Sequence, residues 1–251
     1  MDKDLIKAQF GANAAAYITS ATHAKGASLA RLVELVQPRP DWLALDIATG
    51  AGHTAFALAP HVAHVRATDI TPEMLETTRA GALERGLANV TAEYADAEDL
   101  PYPDASFDLV TCRIAAHHFG DVAPFLRETA RVLRPGGLLA VVDNIVPPGP
   151  AGDYVNAFEK LRDPSHWRCL NIEDWAAGFE TAGLEVVSVE TLAKRVHFEF
   201  WAKRHDAHMQ AYLRALLSLA TGAAGEFLGL ETEGDAAYFH LLEGIIIGRK
   251  G

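Results

Sequence analysis

The chain has 251 residues, 49% of them hydrophobic, enough for one sizeable core without a second domain. Thirty-three acidic against 22 basic residues give a net charge of -11, which excludes a general nucleic-acid binder, because that affinity rests on clustered Lys and Arg facing phosphates. The two cysteines, Cys112 and Cys169, lie far apart without a CxxC or His-rich companion, so neither a disulfide framework nor a zinc site is expected, and both read as reduced thiols of a cytoplasmic protein.

In chain order, Met1-Asp2-Lys3-Asp4 shows no basic region leading into an apolar run, and no stretch reaches the roughly eighteen apolar residues that span a bilayer, so neither secretion nor membrane insertion is expected. Residues 1–37 read as helical: an Ala-rich stretch from Lys3 to Tyr17, a polar break at Thr19-Ser20, then Leu29, Leu32, Val33 and Val36 at helical spacing. From Trp42 the pattern predicts strands at 42–48, 64–69, 89–94, 107–113 and 137–143, with helices near 53–60, 72–85 and 121–134. Strands separated by helices of this length need crossover connections, which implies a doubly wound α/β fold around a mostly parallel sheet. Pro147-Pro148-Gly149-Pro150 stops the fifth strand and opens an excursion with helices at 153–162 and 171–182, the second ending at Gly183. Strand-like patterning resumes from Leu184 to Lys194, one long amphipathic helix is predicted between Phe198 and Ala220, and Leu241-Leu242 with Ile245-Ile246-Ile247 reads as a last buried strand.

The strongest local signal is the strand Leu43 to Ile47 running through Ala48-Thr49-Gly50-Ala51-Gly52 into a helix. Small residues let the backbone approach a ligand, and the helix start offers free N–H groups. A dinucleotide fingerprint would continue G-x-G-x-x-G, but position 55 is Ala. Asp69 ends the next strand about twenty residues on, where a carboxylate accepts hydrogen bonds from ribose hydroxyls. Asp96, in Tyr94-Ala95-Asp96-Ala97, ends the third strand, where a carboxylate accepts from an adenine amino group. Three consecutive strand ends then line one crevice.

With these segments on the page, the chain resembles the class I S-adenosylmethionine-dependent methyltransferases, and within them the group typified by the ubiquinone/menaquinone-biosynthesis C-methyltransferases. LDIATGAG, TDITPEML, DAEDLPYPDASFDLV and RVLRPGG carry the likeness, in family order, across roughly Trp42 to Asn144. The resemblance implies S-adenosyl-L-methionine as cofactor, with Asp46, Ala48, Gly50, Ala51 and Gly52 around its methionine portion, Asp69 on the ribose, Ile70 against adenine, Asp96 and Ala97 at its edge, and Arg113 beside its amino-acid end. It also implies a seventh, antiparallel strand, supplied by Tyr238 to Arg249. The one departure is Ala48, where the family turn commonly has Gly. Residues 1–37 are expected as a lid, 38–146 as the cofactor half, and 147–251 as the acceptor half, with insertions covering the acceptor.

Methyl transfer from a sulfonium is an in-line displacement, so the protein mainly aligns donor and acceptor, and a base helps only where the acceptor must lose a proton. His117 and His118, just past the fourth strand, are the candidates for that base; the alternative reading is that one caps the following helix and the other packs. Tyr17, His23, Asp143, His166 and Arg168 are candidates for contact with a small-molecule acceptor; Arg reads carboxylates and the neighbouring Trp167 offers a flat face. His197, His205 and His208 come with no carboxylate-rich ligand set, so no metal is expected. Two other functions remain open on the sequence: a cofactor-binding scaffold without catalysis, and a nicotinamide oxidoreductase, which the glycine spacing and the lack of a Tyr-x-x-x-Lys pair disfavour.

Overall fold

The computed structural model describes residues 3–18 and 26–251, with side chains over 3–11 and 26–251. Helix α1 (Lys3–Ile18) and α2 (Ala27–Val36) precede a sheet built from β1 (Leu43–Ile47), β2 (His64–Asp69), β3 (Val90–Tyr94), β4 (Phe107–Arg113) and β5 (Leu133–Ile145). Between them lie α3 (His53–Leu58), α4 (Pro72–Glu84) and α5 (Val122–Val132). Then come α6 (Pro150–Arg162), α7 (Ile172–Thr181), β6 (Leu184–His197), α8 (Phe198–Ala202), α9 (Ala207–Leu219), α10 (Gly222–Leu228), β7 (Glu231–Glu233) and β8 (Ala236–Lys250).

The sheet order is β3-β2-β1-β4-β5-β8-β6, with β1 to β5 parallel and β8 antiparallel between β5 and β6. The doubly wound, mostly parallel sheet of the expectation is present. The antiparallel strand expected over Tyr238 to Arg249 is β8, and it lies between β5 and β6. The three-residue β7 was not expected; it folds back on the start of β8 through Gly234, whose φ of 60° suits the tight turn. The chain runs outward from β1 through β2 to β3, then returns to β4 on the other side, so the reversal of strand order opens a crevice at the carboxyl ends of β1 and β4.

Alternation along the strands sends neighbouring residues to opposite faces. Leu45, Ile47, Val110, Cys112, Leu139 and Val141 pack under Phe125 of α5 and Trp175 and Phe179 of α7. Ala44, Val65, Leu109, Ala140 and Val142 pack under Leu32 and Val36 of α2 and Leu58 of α3. A third cluster lies past the end of the sheet, where Val155 and Phe158 of α6 meet Trp201, Leu213, Leu217, Leu228 and Phe239. The long helix expected over 198–220 is two helices, because Asp206 accepts the Met209 N–H at 2.9 Å and caps a new start at Ala207.

Candidate functional site

The turn after β1 is left-handed three times, with φ of 51° at Ala48, 55° at Gly50 and 85° at Gly52. Only glycine adopts that region at no cost, which explains the glycines and makes Ala48 a strained residue. A Cβ on Gly52 would lie 2.5 Å from the Phe56 ring, so its smallness serves the helix behind the turn. One on Gly50 would meet no protein atom within 4 Å, because the backbone there borders open pocket. Beneath the turn, buried Asp46 accepts from Thr49 Oγ1 at 2.6 Å and Thr111 Oγ1 at 2.7 Å. Burial pushes its carboxyl up to about 6, against the opposing pull of Thr49, Thr111 and Arg113. Asp69 accepts from the Gly50 N–H at 3.0 Å and the Thr71 N–H at 2.8 Å, and burial raises its pKa despite those bonds.

These groups rim a pocket of about 1000 Å³, open mouth included, walled by residues 48–51, 53–54, 69–71, 95–98, 113–115 and 118–120, with Met74 of α4. Ala48, Gly50, Ala51, Asp69, Ile70, Asp96, Ala97 and Arg113 therefore all border it, whereas Asp46 and Gly52 support the turn from behind. Helix α1 forms the far wall with Ile6 and Phe10. Its Lys3 ammonium donates to Asp96 Oδ2 at 2.6 Å and to Glu98 Oε2 at 2.8 Å, contacts that nothing in the local sequence of either partner announces. An elongated nucleoside fits this wall: a carboxylate at each of two strand ends, an open backbone at the turn, and apolar flanks from Ile70 and Ile6.

The two histidines past β4 have different surroundings. His118 borders the pocket, with the Phe10 ring edge-on at 4.9 Å. Its Nδ1 lies 2.9 Å from the Ser165 carbonyl, which only accepts, so Nδ1 carries the proton and Nε2 keeps the lone pair. Burial, helped by the neighbouring His117, brings its pKa down to about 3, so the ring is neutral. His117 does not border the pocket. It is buried against Asp143, with Nδ1 2.5 Å from Oδ1 and its backbone N–H donating to Oδ2 at 2.7 Å. Burial opposes protonation there, but the Asp143 charge and hydrogen bond outweigh it and raise the pKa.

The remaining expected acceptor contacts lie away from the pocket. Asp143 is spent on His117. His166 is buried with Nε2 2.9 Å from Asn156 Oδ1, and burial brings its pKa to about 3. Arg168 reaches Asp153 at 3.1 Å on the surface. Their position after β5 suggested the mouth of the crevice, but α6 carries the chain behind it. Tyr17 lies in α1 with its side chain outside the described residues, and His23 lies outside them altogether. No residue of 147–251 borders the pocket; that half reaches its walls through the Ser165 contact to His118 and the Asp163 contact to Gln9 of α1. Among the described residues no group of three or more His, Cys, Asp or Glu is placed to hold a metal, and no helix is long and apolar enough to cross a membrane.

Residues 45–141 match a family model described as a methyltransferase domain. The chain is 39% identical over 196 residues to the uncharacterized methyltransferase YcgJ of Bacillus subtilis, covering 78% of each chain. The crystal structure of YcgJ superposes with a TM-score of 0.85 at 35% identity, over 89% of this chain and 97% of that one. The 27-O-demethylrifamycin SV methyltransferase of Amycolatopsis mediterranei is 35% identical over 168 residues, 65% of this chain and 61% of its own. The ubiquinone/menaquinone biosynthesis C-methyltransferase UbiE of Brucella anthropi is 34% identical over 178 residues, 60% of this chain and 66% of its own.

Proposed function

The chain belongs to the class I S-adenosylmethionine-dependent methyltransferases, and from that premise we propose that it methylates an apolar small molecule bearing an acidic hydroxyl. The methyl goes to that oxygen or to the carbon conjugated with it. Membership displaces the nicotinamide and scaffold alternatives. S-adenosylmethionine supplies an electrophilic methyl on a sulfonium, and the chain's own residues do the rest. Asp69 would take the ribose hydroxyls, Asp96 and Ala97 the adenine edge, and the Ala48–Gly52 turn with Arg113 the amino-acid end.

The carrying observation is His118, a neutral imidazole on the pocket wall with its proton held at Nδ1. Nε2 is then the acceptor for a substrate O–H, which it orients and whose proton it takes as the oxygen or carbon is methylated. The apolar burial that keeps this base neutral also disfavours a charged ammonium as acceptor. The walls agree: Ile6, Phe10, Met74 and Phe119 are apolar, and Lys3 is already paired with two carboxylates, so nothing here favours a phosphorylated acceptor. The rifamycin relative is named for an oxygen and the quinone relative for a carbon, which is why the reading covers both. Residues 3–11 of α1 act here as a cover and 147–251 as the support that seats His118, in a cytoplasmic enzyme, whereas α2 of the expected lid packs on the sheet instead.

The test is incubation with methyl-deuterated cofactor and a panel of phenols, hydroxyquinones, enols and aliphatic amines, read by mass spectrometry. Transfer to the hydroxylated members is expected, and His118→Gln is expected to lower kcat by about a hundredfold while S-adenosylhomocysteine still binds. Transfer to amines alone, or an undiminished His118→Gln enzyme, overturns the reading.

A further inference from the structure

The segment after α6 does not line the pocket, yet it holds His118, a neutral imidazole on the pocket wall. Ser165 is buried, and it is pinned by Asp163: its backbone N–H donates to Asp163 Oδ1 at 3.0 Å and its hydroxyl to the same oxygen at 2.7 Å. Because the carboxylate takes the hydroxyl proton, Ser165 Oγ faces His118 Nδ1, 3.2 Å away, with lone pairs only. The Ser165 carbonyl, at 2.9 Å, is a second acceptor for the same N–H. Two acceptors on one pinned residue fix both the tautomer and the plane of the His118 ring.

Asp163 itself is held from two sides. Gln9 Nε2 of α1 donates to Oδ1, the oxygen that pins Ser165, and Arg204 Nη1 lies 3.5 Å from Oδ2. Gln9 sits next to Phe10, whose ring meets the His118 ring edge-on. The helix that walls the pocket and the loop that seats the histidine therefore converge on one carboxylate.

We propose that Asp163 is a positioning residue for methyl transfer: through Ser165 it holds His118 with Nδ1 protonated and Nε2 available, and through Gln9 it ties that arrangement to the seating of α1. This rests on the reading of His118 as the group that receives the acceptor's proton. Asp163 does not line the pocket, so its effect on proton transfer passes through His118.

The geometry distinguishes three substitutions. Asp163→Asn keeps Oδ1 as the acceptor of all three bonds and turns its amide toward Arg204, so it should stay within about threefold of the parent kcat. Asp163→Ala frees Ser165 and should lower kcat by about tenfold to a hundredfold, the cost of a catalytic group misplaced by a fraction of an ångström to an ångström. Ser165→Ala keeps the backbone carbonyl and should fall between them. The readout that a merely structural residue would not move is the tautomer of His118, followed by imidazole nitrogen shifts in histidine-labelled protein and assigned with His118→Gln. A single Nδ1-protonated form is expected in the parent and in Asp163→Asn, and a mixture in Asp163→Ala.

The kinetic counterpart uses whichever hydroxylated panel member is turned over. Asp163→Ala added to His118→Gln should cost nothing further, because both act through one group. A single Nδ1-protonated tautomer in Asp163→Ala, or losses that add in the double variant, overturns the positioning role. An undiminished His118→Gln instead overturns the reading on which it rests. The tautomer experiment needs no acceptor, so it separates the two failures.

Discussion

Ala48 carries a methyl group at φ 51°, where an L-residue pays on the order of 1–2 kcal/mol and glycine pays nothing. Ala48→Gly gives part of that back as unfolded-chain freedom, so a net stabilisation of roughly 0.5–1 kcal/mol is expected from urea unfolding, with cofactor-product affinity unchanged. A destabilised variant would mean that the alanine methyl packs usefully in the turn. Asp46 offers a pH-dependent counterpart. Its folded pKa is raised from 3.8 to about 6, so the folded chain binds this proton more tightly than the unfolded one. The stability it contributes is present below about pH 4 and is lost as pH rises through about 6. Asp46→Asn removes the titration, so its stability relative to the parent should climb between pH 4 and pH 7 by at most about 3 kcal/mol, measured by urea midpoints across that range. A difference that stays flat with pH would place the proton elsewhere. Asp69 at its strand end and the turn before it were legible in the sequence as pocket positions, whereas Asp143 at another strand end is spent on His117. Asp163 was not legible: Gln9 stands 154 positions away and His118 is reached through Ser165, and no local pattern encodes that meeting.

At the scale of elements, the strands and most helices follow hydrophobic period, and the turn glycines mark where each ends. The helix expected over 198–220 is two helices because the polar run Lys203 to Asp206 interrupts its apolar spacing and Asp206 caps a new start. The placement of α1 was less legible still. Its alanine-rich face says helix but not where it docks, which is set by Lys3 reaching Asp96 and Glu98 across the sheet end. Those pairs are partly solvated, so each is worth no more than about 1 kcal/mol, and they tether the helix without stabilising the sheet beneath it. Lys3→Ala is therefore expected to speed hydrogen exchange several-fold over residues 3–11, with the β1 and β4 amides unchanged and the effect shrinking at high salt. Unchanged exchange in α1 would mean that Ile6, Phe10 and Gln9 suffice to hold it.

Across the whole molecule, the two faces of the sheet and the cluster beyond it divide the labour. The pocket is built on the sheet clusters and on α1, whereas α6, α8, α9 and α10 pack with the start of β8 in a third cluster, none of whose residues borders the pocket. No sequence pattern shows this indirectness, because α6 follows β5 at the crevice end and only its packing turns it away. Phe158 tests the division. It is 1% exposed, stacks on Trp201 with centroids 4.8 Å apart and meets the Phe239 edge at 5.8 Å, so it anchors α6 to α8 and β8. Phe158→Ala should cost about 3–5 kcal/mol of stability through the cavity it leaves. In the fraction that remains folded at low temperature, S-adenosylhomocysteine affinity measured by calorimetry should stay within about threefold, because the turn after β1, Asp69 and Asp96 stand apart from this cluster. Methyl transfer should fall by tenfold or more, because the loop that carries Asp163 and Ser165 leaves the end of α6 and shifts with it. An equal loss of affinity and turnover would show instead that the third cluster shapes the cofactor pocket itself, and the halves would have to be treated as one site.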